Sequence, residues 1–212
     1  MRIQINFIKQ GSLRFISHHN LMKLFERAIR RAKIPIKMSK GFNPRPKIAF
    51  PLALSVGIKG IDEKLELELC EHMQVSEIKS RLKKQLPQSI QITSVDQIAT
   101  RQKSSVTDVT YVVRPKEGKM PGVKEISELL SRDVINTQRK RKKLTFDLRP
   151  SVINITTDSQ FIGLNLKMTP KGIARPEEVL SHLGLKAGKD YELSEIVRTR
   201  VNLSSSPNVT VC

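Results

Sequence analysis

The residues of this chain best suited to binding a ligand lie at positions 39–47, where the sequence reads Ser-Lys-Gly-Phe-Asn-Pro-Arg-Pro-Lys. Gly41 tolerates a positive φ angle, and Pro44 holds Asn43 in an extended conformation. The pattern predicts a rigid loop that can hold one phosphate or one base at a small entropic cost. The alternative is a plain rigid turn between strands, but the density of polar groups favours binding. The predicted binding residues of this loop are Lys40, Gly41, Phe42, Asn43, Arg45 and Lys47. For Phe42 the alternative to stacking on a base is burial of the ring in the core, the more common position of a phenylalanine.

The first sixty residues, which include this loop, carry a large excess of cations. Residues 1–60 contain thirteen Lys or Arg and a single acid, Glu26. A solvated helix face normally mixes both signs, because opposite charges at i and i+4 stabilise each other. Here the cations have almost no acid to pair with, so the imbalance favours an external anion over a merely soluble face. Nucleic acid is the expected anion. The predicted phosphate contacts are Arg14, Lys23, Arg27, Arg30 and Arg31.

A third basic group consists of the five consecutive cations at positions 139–143. They lie in a predicted hairpin turn and would add phosphate contacts that weaken with salt. The alternative is an ordinary flexible basic loop. The predicted contacts of this group are Arg139, Arg141 and Lys143.

Two adjacent histidines, His18 and His19, lie at the start of the predicted first helix. The helix dipole disfavours their cationic forms and leaves a neutral imidazole that can accept a proton. Such a base can activate a 2′-OH in RNA cleavage, with Arg14 steadying the phosphate. A hydrogen-bonding or capping role is the favoured alternative. We therefore predict no catalytic residue, and assign these three residues only if the protein is a ribonuclease.

Composition narrows the class of protein. The 212 residues carry a net charge of +18 with 38% hydrophobic residues, which predicts a folded chain that attracts a polyanion. No apolar run is long enough to span a bilayer, and the N-terminus lacks the apolar region of a signal peptide. The chain has two cysteines, and no two of its four histidines have the i, i+4 spacing of a helical metal site. The usual zinc and iron–sulfur ligand sets are therefore excluded, and no metal site is predicted. The cytoplasm is the expected compartment.

The elements that must position these residues follow a repeated order. Alternating residues predict strands at 2–8 and 65–69, short extended segments at 34–38 and 47–52, and a last strand at 90–95. Helices are predicted from Ser17 or Asn20 to about Lys33 and over 75–85. The order β-α-β-β-α-β is that of a split βαβ unit, and a similar order recurs after residue 107. We predict an α+β protein with two tandem ferredoxin-like lobes, at 1–99 and 108–203, a linker at 100–107 and a polar tail at 204–212.

Three segments together resemble a known family. They read Arg-Phe-Ile-Ser-His-His-Asn-Leu-Met at 14–22, Glu-Arg-Ala-Ile-Arg-Arg-Ala at 26–32, and Ser-Lys-Gly-Phe-Asn-Pro-Arg-Pro at 39–46. The chain resembles the radical-SAM-linked proteins, a bacterial domain-of-unknown-function family found beside or fused to a radical SAM protein. The second half agrees more loosely, at 146–150, 175–180 and 198–199. Where the family pattern reads Ser-His-Leu-Asp, this chain has Asn20, so no role that needs a carboxylate there carries over.

The basic residues and the resemblance together predict a noncatalytic RNA-binding accessory protein of a radical SAM enzyme that acts on structural RNA, either rRNA or tRNA. The expected partners are that RNA and a radical SAM protein encoded nearby, and no membrane. Because the chain lacks the three-cysteine motif, it is expected to hold no cofactor, and the iron–sulfur cluster and S-adenosylmethionine belong to the partner.

Two alternatives stay open. One is a metal-independent ribonuclease, because the CRISPR repeat-processing endonucleases also combine tandem ferredoxin-like lobes with a Gly-rich loop, to which residues 171–175 are comparable. The other is a protein-binding adaptor that makes no RNA contact.

Overall fold

The computed structural model describes residues 1–99, 104–139 and 144–204, except for the side chain of Leu144. Within these ranges the chain is a mixed α+β protein with four α-helices and antiparallel strand pairs. It divides into two compact units. The first unit comprises Met1–Ser105 with Leu203 and Ser204, and the second comprises Val106–Asn202.

The first unit is a sheet flanked by two helices. Its elements are β1 (Arg2–Lys9), α1 (His18–Arg31), β2 (Ile48–Ala49), β3 (Lys59–Glu68), α2 (Val75–Lys83) and β4 (Ile90–Ile98). The strands pair in the order β4-β1-β3-β2, and every pairing is antiparallel. In β1, buried and half-buried residues alternate, which places Ile3, Ile5 and Phe7 in the core.

Helix α1 lies over this core because its apolar residues recur with helical spacing. Leu21, Phe25, Ala28 and Ile29 are buried, and Phe25 packs edge-on against Phe7. The predicted start of the helix is confirmed at Ser17, whose hydroxyl accepts a hydrogen bond from the Asn20 backbone N–H at 3.2 Å. Lys33, at the other end, takes the left-handed conformation with φ of 52°, and Pro35 then prevents the helix from continuing.

The two extended segments predicted between α1 and β3 are shorter in the structure. Residues 34–38 make only isolated bridges, Ile36 to Leu69 and Met38 to Pro46, and the strand predicted at 47–52 is reduced to β2. The prolines at 35, 46 and 51 explain the difference, because each lacks the N–H that a continuous ladder requires.

The second unit contains β5 (Val106–Val113), α3 (Val123–Leu130), β6 (Asn136–Arg139), β7 (Leu144–Asp147), β8 (Val152–Thr157), β9 (Ile162–Lys167), α4 (Pro176–His182) and β10 (Ile196–Leu203). Its main strands follow the order β10-β5-β9-β8. Strands β6 and β7 form a separate antiparallel pair, as predicted for the hairpin that carries the third basic group. The cations of that group at 140–143 lie outside the described residues.

Candidate nucleic-acid interface

The cationic face of α1 is built by helical spacing. Lys23, Arg27 and Arg30 follow one another at i, i+4 and i+7, on the side opposite the buried Leu21 and Phe25. All three are exposed, and none makes an ion pair within the described parts of the chain. Three like charges on one helix face repel each other. Binding of an anion relieves this repulsion and so lowers the free energy of the protein.

This face forms one wall of a groove of about 720 Å³. The opposite wall comes from the segment that follows the helix. The cations at the rim are Lys23, Arg27 and Arg30, and the lone acid Glu26 lies among them. The remaining lining residues are apolar, namely Ile29, Ile34, Pro35, Ile36, Met38 and Pro46. The structure therefore brings the cationic helix face together with the segment that leads into the predicted loop.

Backbone hydrogen bonds fix the base of that loop. Lys47 N–H donates to the carbonyl of Lys37 at 2.8 Å, and Lys37 N–H donates to the carbonyl of Glu68 in β3 at 2.7 Å. Closer to the tip, Ser39 N–H donates to the Arg45 carbonyl at 2.8 Å, and Arg45 N–H donates to the Ser39 hydroxyl at 2.9 Å. The segment between Ser39 and Arg45 is therefore a closed loop anchored to the sheet.

An ion-pair cluster adds to this anchor. The Glu68 carboxylate accepts from Lys37 Nζ at 2.5 Å and from Lys47 Nζ at 2.8 Å. These hydrogen bonds lower the pKa of Glu68 to about 2, and the hydrogen bond to Glu68 raises the pKa of Lys37. Lys47, predicted to contact RNA, is therefore already engaged with Glu68, where its charge stabilises the base of the loop.

The tip of the loop is open to solvent. Gly41 has a φ of 133°, a conformation that favours glycine, and no heavy atom lies within 4 Å of the place where a Cβ would be. Phe42 beside it is fully exposed, with a relative exposure of 106%. Lys40, Asn43 and Arg45 are exposed as well, and neither cation has an ion-pair partner among the described residues. The tip therefore presents an aromatic ring between two cations, a combination that suits an unpaired base and its phosphates.

Arg31 differs from the other cations of α1. Its Nε donates to the side-chain oxygen of Gln85 at 3.1 Å and its Nη2 to the Gln85 carbonyl at 2.8 Å, which ties α1 to the end of α2. Successive residues on a helix project about 100° apart, so Arg30 and Arg31 face different surroundings. Of the four residues of α1 predicted to contact phosphate, three therefore form the cationic face and Arg31 is a structural anchor.

Arg14 lies in the short 3₁₀ helix Gly11–Phe15, with its guanidinium 4.9 Å from the centre of the Phe15 ring. Its Nε is buried without a hydrogen-bond partner in the described chain. Phe15 is 59% exposed. The pair offers a cation next to an exposed ring, as the tip of the loop does.

The two histidines have different environments. His18 is half-buried, and its ring lies edge-on to Phe50 with the ring centres 5.2 Å apart. Burial lowers the pKa of His18, and the charges of Lys9 and His19 lower it further, so the imidazole is neutral at pH 7. His19 is exposed. Ser17, and neither histidine, supplies the side-chain cap of α1.

The Arg139 side chain in the second unit contacts three neighbouring groups. Its guanidinium donates to Glu178 through Nε at 2.8 Å and Nη2 at 2.7 Å, and to the carbonyl of Ile173 at 2.8 Å. It also lies 3.7 Å from the centre of the Phe146 ring. The predicted phosphate contact is thus a bidentate ion pair that joins β6 to α4. Arg141 and Lys143 lie outside the described residues.

The motif at 146–150 serves the same structural purpose. One carboxylate oxygen of Asp147 accepts from the backbone N–H groups of Ile135 and Arg149, at 2.9 and 3.0 Å. The Arg149 guanidinium donates to the carbonyls of Leu130 and Val152, both at 3.1 Å. These contacts fix the path of the chain between α3 and β8, so the motif is accounted for by packing within the unit.

Sequence reasoning missed two features of this interface. One is the apolar floor of the groove, which forms only because residues 34–46 fold back against α1. The other is the attachment of Lys37 and Lys47 to Glu68, a residue distant in sequence. A third feature, the position of Glu26 in the groove, had one signal in the sequence, because Glu26 is the single acid of the first sixty residues.

The described residues place no group of three or more His, Cys, Asp or Glu side chains where a metal ion could bind. None of the helices in these ranges is both long enough and apolar enough to cross a bilayer.

Fold and site together define a basic α+β protein whose first unit carries a cationic groove and an exposed loop. A family model described as "Uncharacterized protein conserved in bacteria (DUF2344)" matches residues 2–180. The match covers most of the chain, which therefore belongs to this bacterial family. No curated protein matches the chain as a relative. The matched range includes the groove, the loop and the Arg139–Glu178 pair.

Proposed function

We propose that this protein is a noncatalytic RNA-binding accessory protein of a radical SAM enzyme, and that its RNA is a structural RNA, either rRNA or tRNA. The observation that carries the proposal is the groove, in which Lys23, Arg27 and Arg30 line one rim without an ion-pair partner among the described residues. A phosphate backbone supplies the anions that this face lacks.

The loop supports RNA over a smaller anion. Phe42 is fully exposed at its tip, where a buried position would be expected for a phenylalanine of a stable core. Lys40 and Arg45 flank the ring, and a single-stranded nucleic acid offers both a base for the ring and phosphates for the cations. The groove and the loop tip then act as a backbone track and a base-stacking element.

The radical SAM partner rests on the resemblance of the first half of the chain. With Cys70 and Cys212 as its two cysteines, this chain lacks the ligands for a three-cysteine iron–sulfur cluster. The cluster and S-adenosylmethionine would therefore be bound by the partner, and this chain would present the RNA. We place the pair in the cytoplasm, where free thiols such as the exposed Cys70 stay reduced.

We also propose that each unit is a ferredoxin-like split βαβ lobe. The strand orders β4-β1-β3-β2 and β10-β5-β9-β8 support this, because both put the first and third main strands of the unit in the middle and the second and fourth at the edges. The β6–β7 pair is then an insertion in the second lobe.

The direct test is to measure the binding of the purified chain to fluorescent single-stranded RNA and to tRNA over a range of salt concentrations. We expect binding that weakens steeply with salt, and a large loss of affinity in a Phe42→Ala variant. The matched control is Val123→Ala, which shortens an apolar side chain of the second unit that is 81% exposed and lies outside the groove and the loop. Absence of RNA binding at low salt would favour the protein-binding adaptor.

The same samples test the ribonuclease alternative, for which the neutral His18 is the supporting observation. We expect the RNA to remain intact in the presence of a metal chelator. Cleavage that is lost in His18→Ala and retained in His19→Ala would replace the accessory role with a catalytic one.

The partner is tested by purifying the tagged chain from its native host under anaerobic conditions. We expect a radical SAM protein to co-purify, and its retention after ribonuclease treatment would show a direct protein contact. Recovery of RNA without such a protein would leave the RNA-binding role and refute the accessory role.

A further inference from the structure

We propose that the groove beside α1 binds one unstacked guanine of the RNA and that Glu26 determines this specificity. The inference rests on the proposed RNA-binding function and names the base that the groove selects. Its starting observation is that Glu26 lines a groove whose rim is otherwise cationic.

Glu26 has suitable cationic neighbours but no ion pair. Lys23 lies three residues before it and Arg30 four residues after it, the two spacings at which helix side chains meet. Within the described ranges, however, its carboxylate makes no ion pair or side-chain hydrogen bond, and the side chain is only half exposed. A partly buried carboxylate with both oxygens unused is suited to accepting hydrogen bonds from a ligand.

The groove has the composition of a base-binding site. Its floor is apolar, formed by Ile29, Ile34, Ile36 and Met38, and Met38 is 43% exposed. A planar base can cover this surface while its phosphates meet the cations on the rim. The volume of about 720 Å³ lies within the range of pockets that take small organic ligands.

The chemistry of the carboxylate selects the base. An ionised carboxylate only accepts hydrogen bonds, through two neighbouring oxygens. Guanine presents two neighbouring donors on its Watson–Crick edge, the N1–H and the N2 amino group. Adenine and cytosine present one amino donor next to a ring-nitrogen acceptor, and uracil presents one N–H between two carbonyls. Guanine is therefore the standard RNA base that can satisfy both oxygens of Glu26.

The same Watson–Crick edge occurs in free guanine nucleotides, so the guanine could come either from an RNA strand or from a free nucleotide. We assign it to RNA because two more exposed cations, Lys40 and Arg45, lie in the loop between the lining residues Met38 and Pro46, and a chain of several phosphates can use all of these cations. Free GMP should consequently compete only weakly with an RNA strand.

The experiment compares oligouridine strands that carry a single central guanosine, inosine or adenosine, with the all-uridine strand as reference. Wild-type protein should bind the guanosine strand about 10- to 100-fold more tightly than the reference, the usual size of a bidentate preference. Inosine retains N1–H but lacks the N2 amino group, so its strand should fall between the two. GMP should displace the guanosine strand only at concentrations far above those of an unlabelled strand.

The decisive variant is Glu26→Gln, because glutamine offers one acceptor and one donor, and every strand in the series presents such a donor–acceptor pair on its Watson–Crick edge. We expect it to lose the preference for guanosine and to bind the four strands with similar affinity. Glu117→Gln, which changes an exposed acid of the second unit that does not line the groove, is the matched control and should bind as wild type. Thermal unfolding of each variant verifies that it folds, and Glu26→Asp serves as a second variant that keeps the acceptors and should retain part of the guanosine preference.

The outcomes separate this inference from the proposed function. Salt-dependent binding of all strands with equal affinity, or a Glu26→Gln variant that still prefers guanosine, would refute the guanine site and leave RNA binding intact. Failure of every strand to bind would refute RNA binding itself. Competition by GMP as strong as that of an unlabelled strand would overturn the assignment to RNA.

Discussion

Neutralising the cationic face of α1 should change the salt dependence of RNA binding by an amount that can be calculated. The variant is the triple change Lys23→Gln, Arg27→Gln and Arg30→Gln, which keeps long helix-forming side chains and removes their charges. These three residues line the groove and have no ion-pair partner in the described chain, so no buried acid is left unpaired by the change. The folded state should be as stable as wild type.

The magnitude follows from counterion release. Each phosphate neutralised on a single strand contributes about −0.7 to the slope of log K against log salt. With one phosphate for each unpaired cation of the groove and loop tip, the wild-type slope is about −3.5 and that of the triple variant about −1.4. At physiological salt the three lost contacts amount to about 2.4 kcal/mol, or a fall in affinity of about 60-fold. The cations counted are Lys23, Arg27, Arg30, Lys40 and Arg45.

The assay is fluorescence anisotropy of a labelled single strand at several salt concentrations. The control is a triple variant with the same loss of charge at exposed lysines that do not line the groove, Lys83→Gln, Lys84→Gln and Lys124→Gln. It should keep a slope near the wild-type value. Equal reductions of the slope in both variants would show that RNA senses only the overall charge, and the groove would then not be a binding site.

Three further predictions concern the residues around these sites. Arg139→Gln leaves Glu178 without its bidentate partner and should cost about 2–4 kcal/mol in urea unfolding while the RNA salt slope stays unchanged; an altered slope with normal stability would contradict this. Glu68→Gln should reduce stability at neutral pH. Because lysine hydrogen bonds lower the pKa of Glu68 to about 2, the deficit should be complete above pH 4.5 and shrink as pH falls towards 2, as urea unfolding across that window would show. Gly41→Ala forces a side chain to a φ of 133° at a cost of about 1–3 kcal/mol. It should weaken RNA binding several-fold and lower the free energy of unfolding by up to that cost, and wild-type affinity would show that the loop conformation is not used.

The sequence predicted the features of this molecule that depend on local pattern. The spacing of apolar residues and the capping residue Ser17 were sufficient to place α1, because amphipathicity and capping are local properties. The strands around the loop were predicted too long. Each proline removes a backbone N–H donor, but the sequence does not show how many of the neighbouring strand hydrogen bonds still form.

The candidate site could be predicted only in part for the same reason. The basic residues of α1 and of the loop could be recognised in the sequence, whereas the exposure of Phe42 is seen only in the structure, and the use of each cation depends on residues far away in sequence. Arg31 is held by Gln85, Lys47 by Glu68 and Arg139 by Glu178. No local signal distinguishes a cation that forms such a contact from one that is open to a ligand. The sequence could therefore identify the basic residues but could not show which of them are available to bind RNA.

The ion-pair cluster at Glu68 has a consequence for how the loop responds to its solution. Lys37 and Lys47 hold the base of the loop through exposed charges, and exposed ion pairs weaken as ionic strength rises. Added salt therefore acts twice, once by competing for the phosphates and once by loosening the loop that carries Phe42. The plot of log K against log salt should bend downwards at high salt, and the bend should disappear in Glu68→Gln, whose loop is already loosened. In this protein the ionic environment sets the shape of the binding element as well as the strength of its contacts.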